Sequence, residues 1–259
     1  MLKKDKKDIE KHEYLNYYIR LEREKHPTMG VRDLYFKINP FFMGRDKFER
    51  FCKENGYYIR KQKVFRRTTD SSGVIRFENK IKGLEITGIN QVWQSDITYV
   101  FVGNRYYFIT FIIDAYSRVI VGYNVSNYLT AEDTTIAALR KAIKFRGGKI
   151  PENLIFHSDG GGQYFDKIFL KLTKKYHIIN SMCKHPWENG IAERLNGIVK
   201  NNYLKHRSIR NFGELIKEVD RTVYLHNYEK PHIKLKRLTP IMFEKSIHLQ
   251  KQEKTRKTG

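Results

Sequence analysis

Three strand-forming runs stand in succession between residues 92 and 125, and few folds accept that arrangement. "SDITYVFV" is β-prone, and "RYYFITFIID" (105–114) and "RVIVGYNV" (118–125) bracket the turn Ala115-Tyr116-Ser117, which reads as an antiparallel pair. Then the period changes. Thr130-Ala131-Glu132-Asp133 resembles a capping box, and Ile136, Leu139, Ala142 and Ile143 give the core face of a helix that Gly147-Gly148 ends. Residues 154–156 form another short strand, a helix follows over about 166–176, "IINSM" (178–182) is a strand, and a long helix starts around Asn189. Strands first in a group and then alternating with helices predict an α/β fold, a mixed sheet with helices on both faces.

The 259 residues exceed what that layer needs, so a second unit is expected ahead of it. Over residues 10–25, Tyr14, Tyr17, Tyr18 and Leu21 recur at helical spacing, and "HPTMG" then breaks the pattern. A second helix near 31–38 stops at Pro40, and a third runs from about 45 to 54 and ends at Asn55-Gly56. Short helices and tight turns in a basic segment predict an all-α, helix-turn-helix-like DNA reader. In "YYIRKQKVFRRTTDSSG" the residues Arg60, Lys61, Lys63, Arg66 and Arg67 interleave with aromatics, as in a linker lying along phosphates. The expected organisation is a helix-turn-helix-like domain over 1–60, a basic linker over 61–88, the mixed α/β core over 89–245 and a basic tail over 246–259, with "KQEKTRKTG" disordered.

The net charge of +22 points to a polyanionic partner, and most of the excess lies in the flanks while residues 81–199 are nearly balanced. No apolar run reaches the roughly 18 residues of a membrane span, and Met1-Leu2-Lys3-Lys4-Asp5 lacks the apolar region of a signal peptide. Cys52 and Cys183 match neither a disulfide framework nor a paired zinc motif. A cytoplasmic, nucleic-acid-bound protein is expected.

"LIFHSDGGGQYF" (154–165) carries the chemistry. A phosphate loop would need Lys-Ser/Thr after the glycines, and Gln163-Tyr164 stands there instead. A carboxylate at a strand tip, Asp159, followed by three glycines suits a metal that must also touch a phosphate, because the glycines let a nucleic-acid backbone come close. One carboxylate is not enough. Asp96 lies inside "WQSDIT", an odd place for a charge unless it is paired or liganded. Glu193 lies in "HPWENGIAERLNGIVK", where Ile191, Leu195, Ile198 and Val199 make the apolar stripe and Glu193, Asn196, Gly197 and Lys200 share a second face. Hard oxygen donors select magnesium, with manganese able to substitute, and two such ions can activate the attacking oxygen and stabilise the leaving one. Asp114 reads as a turn cap beside the site, and His157 as a turn histidine held by a backbone partner. Trp93 reads as core. Trp187 is placed to stack on a base, and Gln163, Tyr164 and Asn189 to contact DNA or order a loop.

"VWQSDITYV", "FIIDAYSRVIVGY", "HSDGGGQY" and "ENGIAERLNGIVK", in that order, resemble the catalytic core of DDE transposases and retroviral-type integrases. The set is most similar to the second-reading-frame transposases of bacterial insertion sequences, over about residues 30–245. The resemblance implies an RNase H-like fold and the triad Asp96, Asp159 and Glu193, with Lys200 a DNA-contacting residue seven positions after the glutamate. Glu188 is the rival for the third ligand. It also implies cleavage and strand transfer of DNA, acting on terminal inverted repeats and target DNA as a homodimer or higher oligomer, with an upstream-frame helix-turn-helix protein as a possible partner. A plain RNase H-like nuclease, an RNA-processing enzyme of that fold, and an inactive helix-turn-helix regulator are the competing readings.

Overall fold

Leu15 and Ile19 stand one turn apart on a helix and close over a small apolar centre with Leu34, Phe48, Phe51 and Cys52. The computed structural model describes residues 2–59 and 77–258, which belong to two separate units. The first is α1 (Leu2–Lys25), α2 (Val31–Ile38) and α3 (Arg45–Glu54). Asn39 ends α2 in the left-handed region, φ 46°, returning its N–H to the Tyr35 carbonyl, and Pro40 cannot continue the helix. The Arg23 guanidinium donates to the carbonyls of Pro27 and Tyr57, fixing both turns to α1. The expected tyrosine stripe is not the buried one: α1 buries Leu15 and Ile19 and leaves Tyr17 exposed, because a phenol hydroxyl keeps its water while the aliphatic chains lose theirs. Arg60, Lys61, Lys63, Arg66 and Arg67 lie outside the described residues, as does most of the expected linker.

The second unit is built on one five-stranded sheet. β1 (Val92–Val102), β2 (Arg105–Asp114) and β3 (Ile120–Ser126) form an antiparallel meander. β4 (Ile155–Ser158) pairs parallel to β1, and β5 (Ile179–Met182) parallel to β4, giving the order β3-β2-β1-β4-β5. This is the RNase H-like sheet that the sequence predicts. α4 (Ala137–Phe145) and α5 (Lys167–Lys175) cover Trp93, Ile112 and Phe156 on one face. On the other, α6 (Gly190–Ile198) and α7 (Phe212–Tyr224) cover Ile109, Phe111 and Ile113. Trp93 is core, as expected.

α4 lies so close to β3 that a methyl group at Gly122 would meet the Ala142 side chain at 2.7 Å. Gly122→Ala is therefore expected to cost about 1–3 kcal/mol through forced repacking, seen as a lower urea midpoint at constant slope. An unchanged midpoint would show that α4 backs away freely.

The expected boundary at 245/246 and the expected disordered tail both fall within a helix. α8 (Pro240–Thr258) is one helix through both. No glycine or proline follows Pro240 before Thr258, and the Lys, Gln and Glu there are good helix formers. Its first turns are anchored in the core: Glu244 accepts from both terminal nitrogens of Arg146 at 2.7 Å and from the Ser117 hydroxyl at 2.6 Å.

Candidate active site

β1 and β4 run parallel with Ser95 opposite Ser158. Asp96 is the next residue on β1 and Asp159 the first residue past the end of β4, and the two strands sit about 4.8 Å apart. β4 ends there because three glycines follow. Asp159 is held by the Gly161 N–H, which donates to its Oδ1 at 3.2 Å. The glycines have a different immediate reason from the one expected. A side chain on Gly160 would strike the Met182 methyl at 2.6 Å, and one on Gly161 would press on the Asp159 carboxylate at 3.2 Å. Gly162 is open on all sides.

α6 is docked onto β1 by three polar contacts. The Asn189 side chain donates to the Ser95 carbonyl at 2.9 Å, the Ile191 N–H to the Gln94 side chain at 3.2 Å, and the Asn196 side chain to Asp96 Oδ2 at 2.7 Å. Asn189 and Asn196, expected as DNA contacts, are buried and spend their amides on the protein. Asn196 orients Asp96, and Glu193 lies one turn earlier on the same helix face, exposed. Burial pushes the Asp96 carboxyl up to about 7, with the charges of Asp159 and Glu193 adding to it and the Asn196 amide opposing it. Asp159 is also raised, by burial, against the Gly161 N–H. Asp96 thus feels both other carboxylates. Among the described residues the three do not close into a set of oxygens all within 4.8 Å, so they form an open cluster rather than a cage. Glu188 is occupied elsewhere: its Oε2 accepts from the Lys184 and His185 N–H groups at 2.6 and 3.1 Å.

The surrounding shell is polar where a core strand should be apolar. The Ser95 hydroxyl donates to the Phe111 carbonyl at 2.9 Å and takes the Tyr164 hydroxyl at 2.9 Å, so Tyr164 is a buried wall of the site and not a DNA contact. These supporting roles of Gln94, Ser95 and Tyr164 escaped the sequence reading; the signal was two uncharged polar residues before Asp96 in a central strand. His157 lies inside β4, not in a turn, because the strand runs on through Ser158. It is buried, its Nδ1 meets the Ser181 hydroxyl at 2.9 Å, and burial lowers its pKa to about 4 against the opposing pull of the Glu188 charge and backbone, so it stays neutral. Asp114 caps as expected, accepting from the N–H groups of Asn90, Tyr116 and Ser117 at 2.6–2.9 Å, and it lies opposite Trp93 rather than Asp96. Trp187 is 73% exposed and stacked on His185 at 4.3 Å. Gln163 donates to the Leu129 carbonyl at 3.1 Å. Lys200, on the turn that continues α6, places its Nζ 5.6 Å from the centre of the Tyr99 ring.

Residues 87–185 and residues 174–240 each match an integrase core domain family, together more than half of the chain. The chain belongs to the integrase core family. This integrase core is 28% identical over 228 residues to an uncharacterised 31 kDa protein of the insertion element IS600 from Shigella sonnei, covering 85% of this chain and 83% of that one. It is 28% identical over 205 residues to the transposase for insertion sequence element IS629 from Shigella sonnei, covering 76% and 67%. The transposase InsF for insertion sequence IS3A from Escherichia coli strain K12 is 34% identical over 96 residues, 37% of this chain and 32% of that protein. Among solved structures, the HTLV-2 integrase catalytic core domain in complex with magnesium matches over 60% of this chain and 95% of its own, at 22% identity and a TM-score of 0.48.

Proposed function

We propose that the protein is the DNA transposase of an insertion sequence, with Asp96, Asp159 and Glu193 as its catalytic carboxylates. One observation carries the assignment. Asp96 and Asp159 follow Ser95 and Ser158, the last residues paired between β1 and β4, and Asp96 is hydrogen-bonded to Asn196, one turn from Glu193, so that burial and then the charges of both other carboxylates raise its pKa. Such a cluster is electrostatically unfavourable on its own and is relieved by divalent cations. The donors are hard carboxylate oxygens, which fit magnesium, with manganese able to replace it. Two ions held by the three residues would supply charge stabilisation on both the attacking and the leaving oxygen.

The chain's own groups do the rest. Asn196 fixes the Asp96 carboxylate, the Gly161 N–H fixes Asp159, and docking of α6 by Asn189 and Gln94 sets the height of Glu193. Lys200 and Trp187 lie where a phosphate and a base of the element's end would pass, and Gln163 flanks the Asp159 loop. In the first step a water oxygen bonds to phosphorus and the 3′-oxygen leaves with a proton. In the second, that 3′-hydroxyl attacks a target phosphodiester in line and a target 3′-oxygen leaves. The N-terminal helices read the terminal inverted repeats, the basic segment with Arg60, Lys61, Lys63, Arg66 and Arg67 follows the backbone, and two copies hold two ends. No described helix is long and apolar enough to cross a membrane.

The test is a magnesium-dependent cleavage and joining assay on labelled duplexes from both flanks of the coding sequence, wild type beside Glu193→Gln. Joined products from the wild type, with a loss on the order of 10³-fold in the variant, are expected, the scale of removing one preorganised transition-state charge. Cleavage without joining would make the protein a nuclease. Binding without cleavage would leave a DNA-binding regulator.

A further inference from the structure

Residues 77–81 lie ahead of β1, and they meet both loops that carry the strand-tip and helix carboxylates. Phe77 stacks on Phe165, ring centroids 5.3 Å apart at 26°, where the Gly162–Phe165 turn closes the loop that begins at Asp159. The Asn79 side chain donates to the Glu188 carboxylate, which folds residues 184–189 by accepting from the Lys184 and His185 N–H groups. The Lys80 N–H donates to the Ser181 hydroxyl at 2.9 Å, and Ser181 in turn meets Nδ1 of His157, two residues before Asp159. Asn79 is set up for its contact. Its Oδ1 accepts from the Ile81 N–H at 3.1 Å, which leaves the amide N–H groups for Glu188.

We infer that residues 77–81 are a strap that holds the two loops in place, with Asn79 and Phe77 as positioning residues for Asp159 and Glu193. The inference rests on the transposase reading and adds to it residues outside the carboxylate cluster. The loop before α6 needs such a tie. Lys184, His185 and Trp187 are exposed, so little apolar burial orders it, and a segment held only by its own short hydrogen bonds opens readily. Glu188 closes the loop from within, and Asn79 fastens that carboxylate to a segment about a hundred residues away in sequence. Asn189 follows directly and docks α6 on the Ser95 carbonyl, so the set of Glu188 is passed to the helix that carries Glu193. On the other side, Phe77 closes on the far end of the loop whose first residue is Asp159. One short strap thus fixes both mobile edges of the site against each other. Groups held in place before the substrate arrives are worth most to an in-line displacement, and a displacement of about 1 Å can cost on the order of 10²-fold in rate.

The test uses the full chain and four proteins: wild type, Asn79→Asp, Glu188→Gln and the double variant. Asn79→Asp keeps the acceptor for the Ile81 N–H and removes the donor to Glu188, leaving two carboxylates face to face. It is expected to lower the rate of magnesium-dependent cleavage at saturating end duplex by on the order of 10-fold or more. The duplex concentration at half-maximal rate should stay within about twofold, the pattern of a loss felt only in the transition state. Adding Glu188→Gln restores a donor to the pair from the other side, so the double variant should recover most of the rate. A second readout needs neither metal nor DNA. Trp187 is exposed in the loop and Trp93 is buried, so acrylamide quenching, less that of a Trp187→Phe control, reports on the loop. Quenching should rise in Asn79→Asp and return in the double variant, without a matching change in the urea midpoint. Unchanged rate and unchanged quenching in Asn79→Asp overturn the inference. So does a rise in the half-maximal duplex concentration alone, which would make Asn79 a DNA contact, and so does a loss that the double variant does not recover. If the wild type cleaves no DNA, the transposase reading fails while the quenching series still decides the strap, so the two failures are separate results.

Discussion

Asp96→Asn is expected to stabilise the metal-free protein at pH 8 while abolishing its activity. The Asp96 carboxyl is pushed up to about 7 by burial and by Asp159 and Glu193. The unfolded chain ionises at the ordinary carboxylate value, so between about pH 4 and pH 7 the folded state holds a proton that the unfolded state has released. Stability therefore falls as pH rises through that window and levels off above it. An amide has no proton to lose, and its carbonyl still accepts from Asn196. After allowance for the partial exposure of the carboxylate, the variant should melt higher by roughly 5 °C at pH 8, corresponding to about 1–2 kcal/mol for a unit of this size. At pH 4 the difference should vanish. Magnesium works against the same proton: its stabilising shift in the wild type should grow with pH up to about 7 and be absent from Asp96→Asn. Melting curves at pH 4, 6 and 8, with and without 10-fold steps of magnesium, decide it. A wild-type profile as flat as the variant's would mean that Asp96 is ionised throughout, and the three carboxylates would not be acting as one cluster.

Much of the site was legible because the two periods of the chain are unambiguous where they matter. An acid inside "WQSDIT" and an acid at the glycine end of "LIFHSDGGG" can be placed on a strand and at a strand tip without knowing the fold. Helix arithmetic puts Glu193, Asn196 and Lys200 on one face. It does not say what that face meets. Only the parallel pairing of β1 and β4 and the docking of α6 decide that Asn196 turns inward to Asp96 while Lys200 reaches round to Tyr99. The same limit explains Asn189: a polar residue at a helix start reads as a cap or a ligand contact, and its real partner is the Ser95 carbonyl, far away in sequence. His157 was misplaced because the strand continues two residues past its apolar run. In α1 the regular spacing of Tyr14, Tyr17 and Tyr18 outshone Leu15 and Ile19, although ring hydroxyls favour the surface. The end of α8 was hidden by composition, since a charged tail and a charged helix look alike until Glu244 is seen to be buried.

Arg146→Met is expected to be the most destabilising single change in the second unit. Arg146 leaves the end of α4 and binds Glu244 through both terminal nitrogens, with Asp114 at 3.8 Å. All three side chains are nearly inaccessible: 12% for Arg146, 8% for Glu244 and 0% for Asp114. Burial raises the Asp114 carboxyl, and the Ser117 and Asn90 N–H groups and the Arg146 charge pull it back. Removing the cation leaves two buried acids facing each other, and breaking a buried pair on one side costs about 3–5 kcal/mol. The consequence is directional. The Asp114 cap orders the turns on both sides of the β1–β2 pair, and Glu244 ties α8 to Ser117, so both should loosen together. Replacing the pair, as Arg146→Met with Glu244→Leu, should restore much of the loss, because an apolar pair of similar volume needs no desolvation. Urea melts of the two single variants and the double give the coupling energy directly. If Arg146→Met costs less than about 1 kcal/mol, the level of an exposed pair, then water reaches the cluster and α8 is not anchored by charge. A large single-variant loss that the double variant recovers would show that this buried ion pair holds the C-terminal helix in register more than it adds to net stability.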